Sequence, residues 1–297
     1  MIMNNTAPYP CMTYRLDNSE FKVNFHPVSR PVQTLKQELI NTANYIRNST
    51  GKDLVVSSSG GIDSEIVCRA FLDAQIPFRM FIVEFDNGRN EHDVAYAHKF
   101  AEIHGIEKII YKIDMDDFFN HDIYKYVKQG YRSQAPYRYF QIHILEQIEN
   151  LGCCGIMAAG ETLFVAKEQD IYMTYDKDYF LLHDWCQSNG VLHYPCFHST
   201  TPELIAAFLD HPVNRFLTSN SLYVQQIANK TTNDLDNPEK IIVYHSVYPH
   251  MQRRRKYHGW ETMLDSYLET RWKLGQLSPY IPKINIPLKQ IRDQLGI

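Results

Sequence analysis

The chain reads as an α/β protein, a parallel helix-flanked sheet with a mostly helical C-terminal half. Three observations predict this. Short apolar, β-branched runs alternate with amphipathic segments of helical spacing up to about residue 160, the pattern of strands joined by helical crossovers. A glycine turn, SSSGGIDS at 57–64, stands between the first such strand and its helix. Beyond about residue 165 periodicity weakens, while 201–210 and 264–274 keep the look of helices.

The elements follow in order. Residues 1–33 carry four prolines among scattered polar residues and are expected to form an extended lead-in that packs onto the rest. Leu35, Leu39, Ile40, Ala43 and Ile46 fall at helical spacing, and 48–51 supply the stop. The run 53–57 is a strand, and after the glycine turn Ile66, Val67, Ala70, Phe71 and Ala74 mark a helix. A second strand is expected at 78–85, a helix at 92–105 closed by Gly105, and a third strand at 108–114. Helical segments near 117–129 and 137–150 precede a fourth strand, CGIMAAG at 154–160. Ligands of such sheets sit at the strands' carboxyl ends, so the glycine turn and Gly160 are expected to face one crevice. The organisation is therefore a lead-in (1–33), a sheet domain (34–165) and a helical region (166–297).

Composition limits the functions open to the chain. Its 297 residues are 44% apolar and 22% charged, which excludes a disordered or fibrous protein. Thirty basic against 34 acidic residues leave no global positive field, so a nucleic-acid partner would need a local patch. Six cysteines form no C-x-x-C pair, so neither a four-cysteine zinc site nor a thioredoxin-like motif has support. The N-terminal stretch lacks a basic n-region and an apolar h-region, and no run approaches ~18 apolar residues. A soluble cytoplasmic protein with no membrane partner is expected.

The chemistry concentrates in the glycine turn. Gly60 and Gly61 let the backbone come close to a ligand and aim N–H groups at it, while the helix behind points its positive end to the same spot. Ser57, Ser59 and Ser64 add hydroxyls, so the turn suits phosphate oxygens. Asp63 belongs there only if a divalent cation bridges it to the phosphates, which implies Mg²⁺ with Asp63 as its ligand. The bland alternative is a capped turn in which Ser59 or Asp63 satisfies helix N–H groups and nothing binds. Neither G-x-G-x-x-G nor G-K-[ST] occurs at this turn, so the dinucleotide fingerprint and the Walker A loop do not apply.

SSSGGIDSE resembles the pyrophosphate loop of the N-type ATP pyrophosphatases, the PP-loop or adenine nucleotide alpha hydrolase-like superfamily with its HUP-like fold. Three further stretches are similar to the synthetase domain of asparagine synthetase and β-lactam synthetase. FIVEFDNGRNEHDVAYAHKFAEIHG matches its second strand, acidic turn and helix, with Asp93 at the acidic position. GIMAAGETLF resembles the strand end G-E-G-x-D-E-L-F, which sets Ala159, Gly160 and Glu161 along the adenylate site. YPHMQRRRKYHGW resembles the late P-x5-R-K-x-x-G-[FW] signature through Pro249, Arg255, Lys256, Gly259 and Trp260. The resemblance implies that ATP is cleaved between its α- and β-phosphates, that a substrate oxygen is adenylated, and that a nitrogen or sulfur nucleophile displaces AMP. It implies backbone groups of Ser57, Val83 and Ala159 around the adenine, with Ser59, Gly60, Gly61, Asp63 and Ser64 at the phosphates. Asp63, Glu161, Arg255 and Lys256 are then the expected catalytic set. Residues 34–165 become the ATP pyrophosphatase domain, and 166–297 complete the substrate site.

Departures from that pattern shape the reading. Thr162, Leu163 and Phe164 stand where the family has paired acids, so aspartate is a poor candidate substrate. About 50 residues precede the loop and position 2 is Ile2, so no glutamine-hydrolysing half is expected. Nitrogen would come from free ammonia, an amine substrate or a separate protein. Glu161 is read either as a solvated residue or as one that positions substrate or Mg²⁺-pyrophosphate. Arg253, Arg254, Arg255 and Lys256 are a solvated run, a source of charge for the leaving phosphates, or a nucleic-acid contact, the last being less favoured. The leading expectation is an AMP-forming C–N ligase acting on a small molecule. A nucleotide- or tRNA-modifying PP-loop enzyme and a non-catalytic nucleotide binder stay open.

Overall fold

The computed structural model describes residues 11–17, 20–131, 133, 136–159, 163–167, 170–176, 179–220, 238–251 and 283–297. An antiparallel hairpin comes first, β1 (Met12–Asp17) and β2 (Glu20–Phe25). The chain then alternates α1 (Leu35–Ser49), β3 (Leu54–Ser57), α2 (Ile62–Asp73), β4 (Arg79–Phe85), α3 (Glu91–His104) and β5 (Lys108–Ile113). A short α4 (Met115–Asp117), a π turn (Phe118–Asp122), α5 (Ile123–Lys128) and α6 (Pro136–Asn150) lead to β6 (Cys154–Ile156). There follow β7 (Leu163–Lys167), β8 (Asp170–Asp176), α7 (Tyr179–Ser188), α8 (Pro202–Leu209), α9 (Pro212–Ser219), α10 (Pro238–Val247), β9 (Lys283–Pro287) and α11 (Leu288–Leu295).

The central sheet is parallel, in the order β5-β4-β3-β6, with Ser57 opposite Phe81 and Val56 opposite Ile156. Its inner strands β3 and β4 are largely apolar because both faces are covered. Leu54 and Val56 turn to a core with Leu39, Ile66, Phe71 and Ala97 of α1, α2 and α3. Val55 turns to the opposite core, with Phe81, Phe118, Tyr126 and Leu145. Phe71 and Phe118 are fully buried, and side chains of this size each stabilise by about 1.5–3 kcal/mol. Successive strands β3, β4 and β5 step one way across the sheet, and β6 returns to the far side of β3. At such a reversal the connections part to opposite faces and leave a crevice beyond the carboxyl ends of the two strands. The loop after β3 and the residues after β6 flank it.

The parallel helix-flanked sheet is as expected, and helices prevail overall, but three elements differ. The fourth strand is three residues long, because the chain changes partner: Met157 N donates to Tyr194 O at 3.0 Å, and Ala158 bridges Cys196. The C-terminal region also holds an antiparallel sheet, β7-β8-β9, and residue 165 lies inside β7. Its period was hidden because Met173, Thr174 and Tyr175 of β8 are all buried, which erases the alternation of polar and apolar residues. Within the lead-in, the β1–β2 hairpin joins a third core, in which Val23 and Phe25 meet Met173, Ile291 and Leu295. Residues 264–274 lie outside the described residues. Among the described residues no helix is long and apolar enough to cross a membrane.

Candidate functional site

The glycine turn leaves the sheet after Ser58, whose N–H donates to Phe81 O at 2.9 Å. Gly60 has φ +82°, and a Cβ built on it would lie 1.9 Å from the carbonyl oxygen of Asp93 in α3. Only glycine lets the loop lie this close to α3. Gly61 is the N-cap of α2 and has no side chain to accept from the first-turn N–H groups, while Ser59 Oγ accepts from Gly61 N at 3.4 Å. Inside the turn, Ser64 Oγ donates to Gly61 O at 2.9 Å and sits 3.3 Å from Ser58 Oγ. Ser58 and Ser64 are buried, Ser59 is exposed, and Ser57 and Asp63 are half-buried. The serine ladder thus divides: Ser64 holds the loop's shape, whereas Ser57, Ser59 and Asp63 stay at least partly exposed.

The other walls come from β4 and β6. Val83 is buried near the end of β4, and its carbonyl accepts from Asn90 Nδ2 at 2.8 Å, while Asn90 Oδ1 accepts from Phe85 N at 2.8 Å. Asn90, absent from the sequence-derived set, is buried and locks this strand end. It precedes α3 as a helix-capping residue type would, but its amide reaches back to the strand instead. Ala159 is buried directly after the Ala158–Cys196 bridge. Ser57, Val83 and Ala159 therefore lie at the carboxyl ends of three neighbouring strands. Gly160, Glu161, Arg253, Arg254, Arg255, Lys256, Gly259 and Trp260 lie outside the described residues.

A second residue missed in the sequence is Arg138, in the first turn of α6. Its side chain is fully buried, donates to Gln141 Oε1 at 2.8 Å and lies over the Tyr137 ring at 4.2 Å. Burial pushes the Cys196 thiol up to about 12, and the charge of Arg138 pulls it the other way. Nothing in the spacing around Arg138 marks it, because a lone arginine at a helix start looks like any surface residue.

Acidic groups gather elsewhere. The carboxylates of Asp86, Asp114 and Asp116 lie within 4.8 Å of one another at the ends of β4 and β5. Asp86 accepts from Met115 N at 3.0 Å, Asp114 caps Asp117 N at 3.0 Å, and Arg89 stands 3.7 Å from Asp86 and 3.8 Å from Asp116. These contacts tie the turn after β4 to the turn after β5. A groove of about 870 Å³ beside them is lined by Glu91, Ala95, His98 and Glu102 of α3, whereas Gly60 meets Asp93 and Ala97 on the helix's opposite side.

The loop, the helix it abuts and three of the four parallel strands fall in one contiguous stretch. Residues 46–144 match the asparagine synthase family model. The match supports an ATP-using PP-loop synthetase domain over that third of the chain and leaves substrate and reaction open. Among solved structures, the chain is similar to the NMN synthetase of Francisella tularensis, at 13% identity and TM-score 0.35, covering 83% of this chain and 96% of that one. It is similar also to the NH3-dependent NAD synthetase of Campylobacter jejuni, at 11% identity and TM-score 0.32, covering 74% of this chain and 99% of that one. The glutamine-dependent NAD+ synthetase of Acinetobacter baumannii is 12% identical with TM-score 0.35, covering 90% of this chain and 52% of that one. Likeness at these scores decides nothing about chemistry. No curated protein matches the chain.

Proposed function

We propose that the protein is an AMP-forming ligase. ATP lies in the crevice with its adenine against the ends of β3, β4 and β6 and its phosphates on the 57–64 loop. The observation that carries this reading is a glycine loop pressed onto α3 that leads through Gly61 into the N-terminus of α2, at the point where the strand order reverses. Asp63 would hold Mg²⁺. The donor set fits, since one carboxylate among neutral N–H and hydroxyl groups leaves most of the ion's coordination to phosphate oxygens. When bound, the ion supplies charge to the pyrophosphate as it leaves.

The chain's own groups do the rest. N–H groups of the loop and of α2's first turn orient the phosphates without adding mobile charge. A carboxylate or carbonyl oxygen of a small-molecule substrate attacks the α-phosphorus, pyrophosphate departs, and ammonia or an amine then displaces AMP to form the C–N bond. A separate protein is a fitting source of that ammonia. Arg255 and Lys256 would meet the charge that develops on the phosphates, and Glu161 would position the substrate or the leaving group. The test is to incubate the protein with ATP, Mg²⁺ and a panel of carboxylic acids and amines, and to resolve the nucleotide products. AMP with pyrophosphate is expected; ADP with phosphate sinks the proposal.

A further inference from the structure

Tyr111 of β5, Tyr126 of α5, and His143 and Glu146 of α6 meet on the α6 side of the sheet. Tyr126 is 0% and His143 6% exposed. Tyr111 Oη lies 2.9 Å from His143 Nε2, Tyr126 Oη lies 3.2 Å from His143 Nδ1, and Tyr126 donates to Glu146 Oε2 at 2.9 Å. Lys125 pairs with the other oxygen of Glu146, and a carboxylate is an acceptor only. Counting protons then sets the direction of the chain. Tyr126 has one hydroxyl proton and gives it to Glu146, so towards His143 it accepts, and Nδ1 carries the hydrogen. Neutral imidazole keeps its lone pair on Nε2, and Tyr111 donates to it. Asp122 Oδ2, 3.7 Å from Nδ1, favours the same tautomer.

We propose that this chain is an acid-sensitive latch, fastening α5 and the π turn before it to β5 and α6 while His143 is neutral and releasing them when Nε2 takes a proton. A protonated ring donates from both nitrogens, so the Tyr111 hydroxyl must turn away and the directed chain is broken. The groups facing the ring are Tyr111 from β5, Asp122 from the π turn, Lys125 and Tyr126 from α5 and Glu146 from α6, with the Phe118 ring edge-on at 5.6 Å. Burial holds His143 below its ordinary range, against the upward pull of Asp122 and Glu146 and with a downward push from Lys125. A π turn interrupts the helix of the fastened segment between Met115 and Lys128.

The test uses the full chain. Ring-nitrogen NMR of the histidine-labelled protein, assigned with His143→Gln, reads the tautomer, and amide hydrogen exchange of residues 115–128 is followed from pH 7.5 to 5.5 and referred to the amides of β3. The Nδ1–H tautomer is expected, with at least tenfold faster relative opening of 115–128 at the lower pH. Glutamine offers one donor and one acceptor at any pH, so His143→Gln should flatten that response. Tyr111→Phe, at the half-buried rim, removes the donor to Nε2 and should move the opening to higher pH; this variant and the tautomer decide the matter if His143→Gln does not fold. An Nε2–H tautomer, protonation of His143 without faster opening of 115–128, or an unchanged pH response in His143→Gln overturns the proposal.

Discussion

The carbonyl oxygen of Asp93 occupies the space that a Cβ on Gly60 would need, 1.9 Å from it. Loop and helix are thus in backbone contact, and Gly60→Ala must both adopt a left-handed φ and push α3 aside. The expected cost is about 2–4 kcal/mol. Gly61→Ala is expected to be near neutral, since Gly61 has φ −74° and ψ 162° and its Cβ would meet only Ser59 Oγ at 3.3 Å. Urea unfolding of the two variants checks the contrast, and a Gly60→Ala as stable as wild type removes the argument for contact.

Asp63→Asn keeps size and shape while removing the charge that a cation needs. Mg²⁺-dependent AMP formation should fall at least tenfold, with nucleotide affinity falling less and the thermal midpoint unchanged. Undiminished AMP release at ordinary Mg²⁺ would show that the ion is held elsewhere.

Arg255→Ala and Lys256→Ala should each lower the rate of AMP formation by about a hundredfold, or ~3 kcal/mol in the transition state, with little change in ATP binding. Charge reversal should be worse than alanine. Near wild-type rates combined with weaker RNA binding and an altered salt slope would move the run to a nucleic-acid role.

Stability should fall with acid through a second histidine. His193 Nδ1 accepts from Gly155 N at 2.8 Å, and Nε2 faces Glu149 Oε2 at 3.3 Å, with Lys52 Nζ 2.7 Å from Glu149 Oε1. Burial, opposed by Glu149, lowers the His193 pKa to about 4. The unfolded chain, with its ordinary histidine, binds the proton first. The stabilising contribution is therefore whole above about pH 6.5 and drains away as pH falls towards 4, on the order of 3 kcal/mol. Unfolding free energies at pH 7 and 4.5 should differ less in His193→Gln than in wild type; equal differences refute the assignment.

The parallel sheet was legible because each strand announces itself locally: LVVS and RMFIVEF are apolar on both faces and are bounded by turn residues. So was the loop, since two adjacent glycines, a serine ladder and an aspartate carry their chemistry in their identities. Asn90 and Arg138 were not legible. Asn90 turns its amide back to Val83 and Phe85 instead of onto the helix it precedes, and Arg138 is buried, and no local pattern encodes either. The β7-β8-β9 sheet escaped for a related reason, because β9 pairs with a strand more than a hundred residues earlier.

Phe25 N donates to Gln294 Oε1 at 2.9 Å and Val28 N to Leu295 O at 3.0 Å, so the hairpin's core is closed by residues almost 270 positions downstream. During synthesis the 35–156 sheet has all its strands and flanking helices early, whereas the core around Met173 and Tyr175 waits for Ile291 and Leu295. Until residue 295 has left the ribosome, Val23 and Phe25 lack the part of their core that Ile291 and Leu295 supply, on a nascent chain whose sheet domain has every strand it needs. The hairpin thus gains its full protection from proteases only when the chain's far end has emerged.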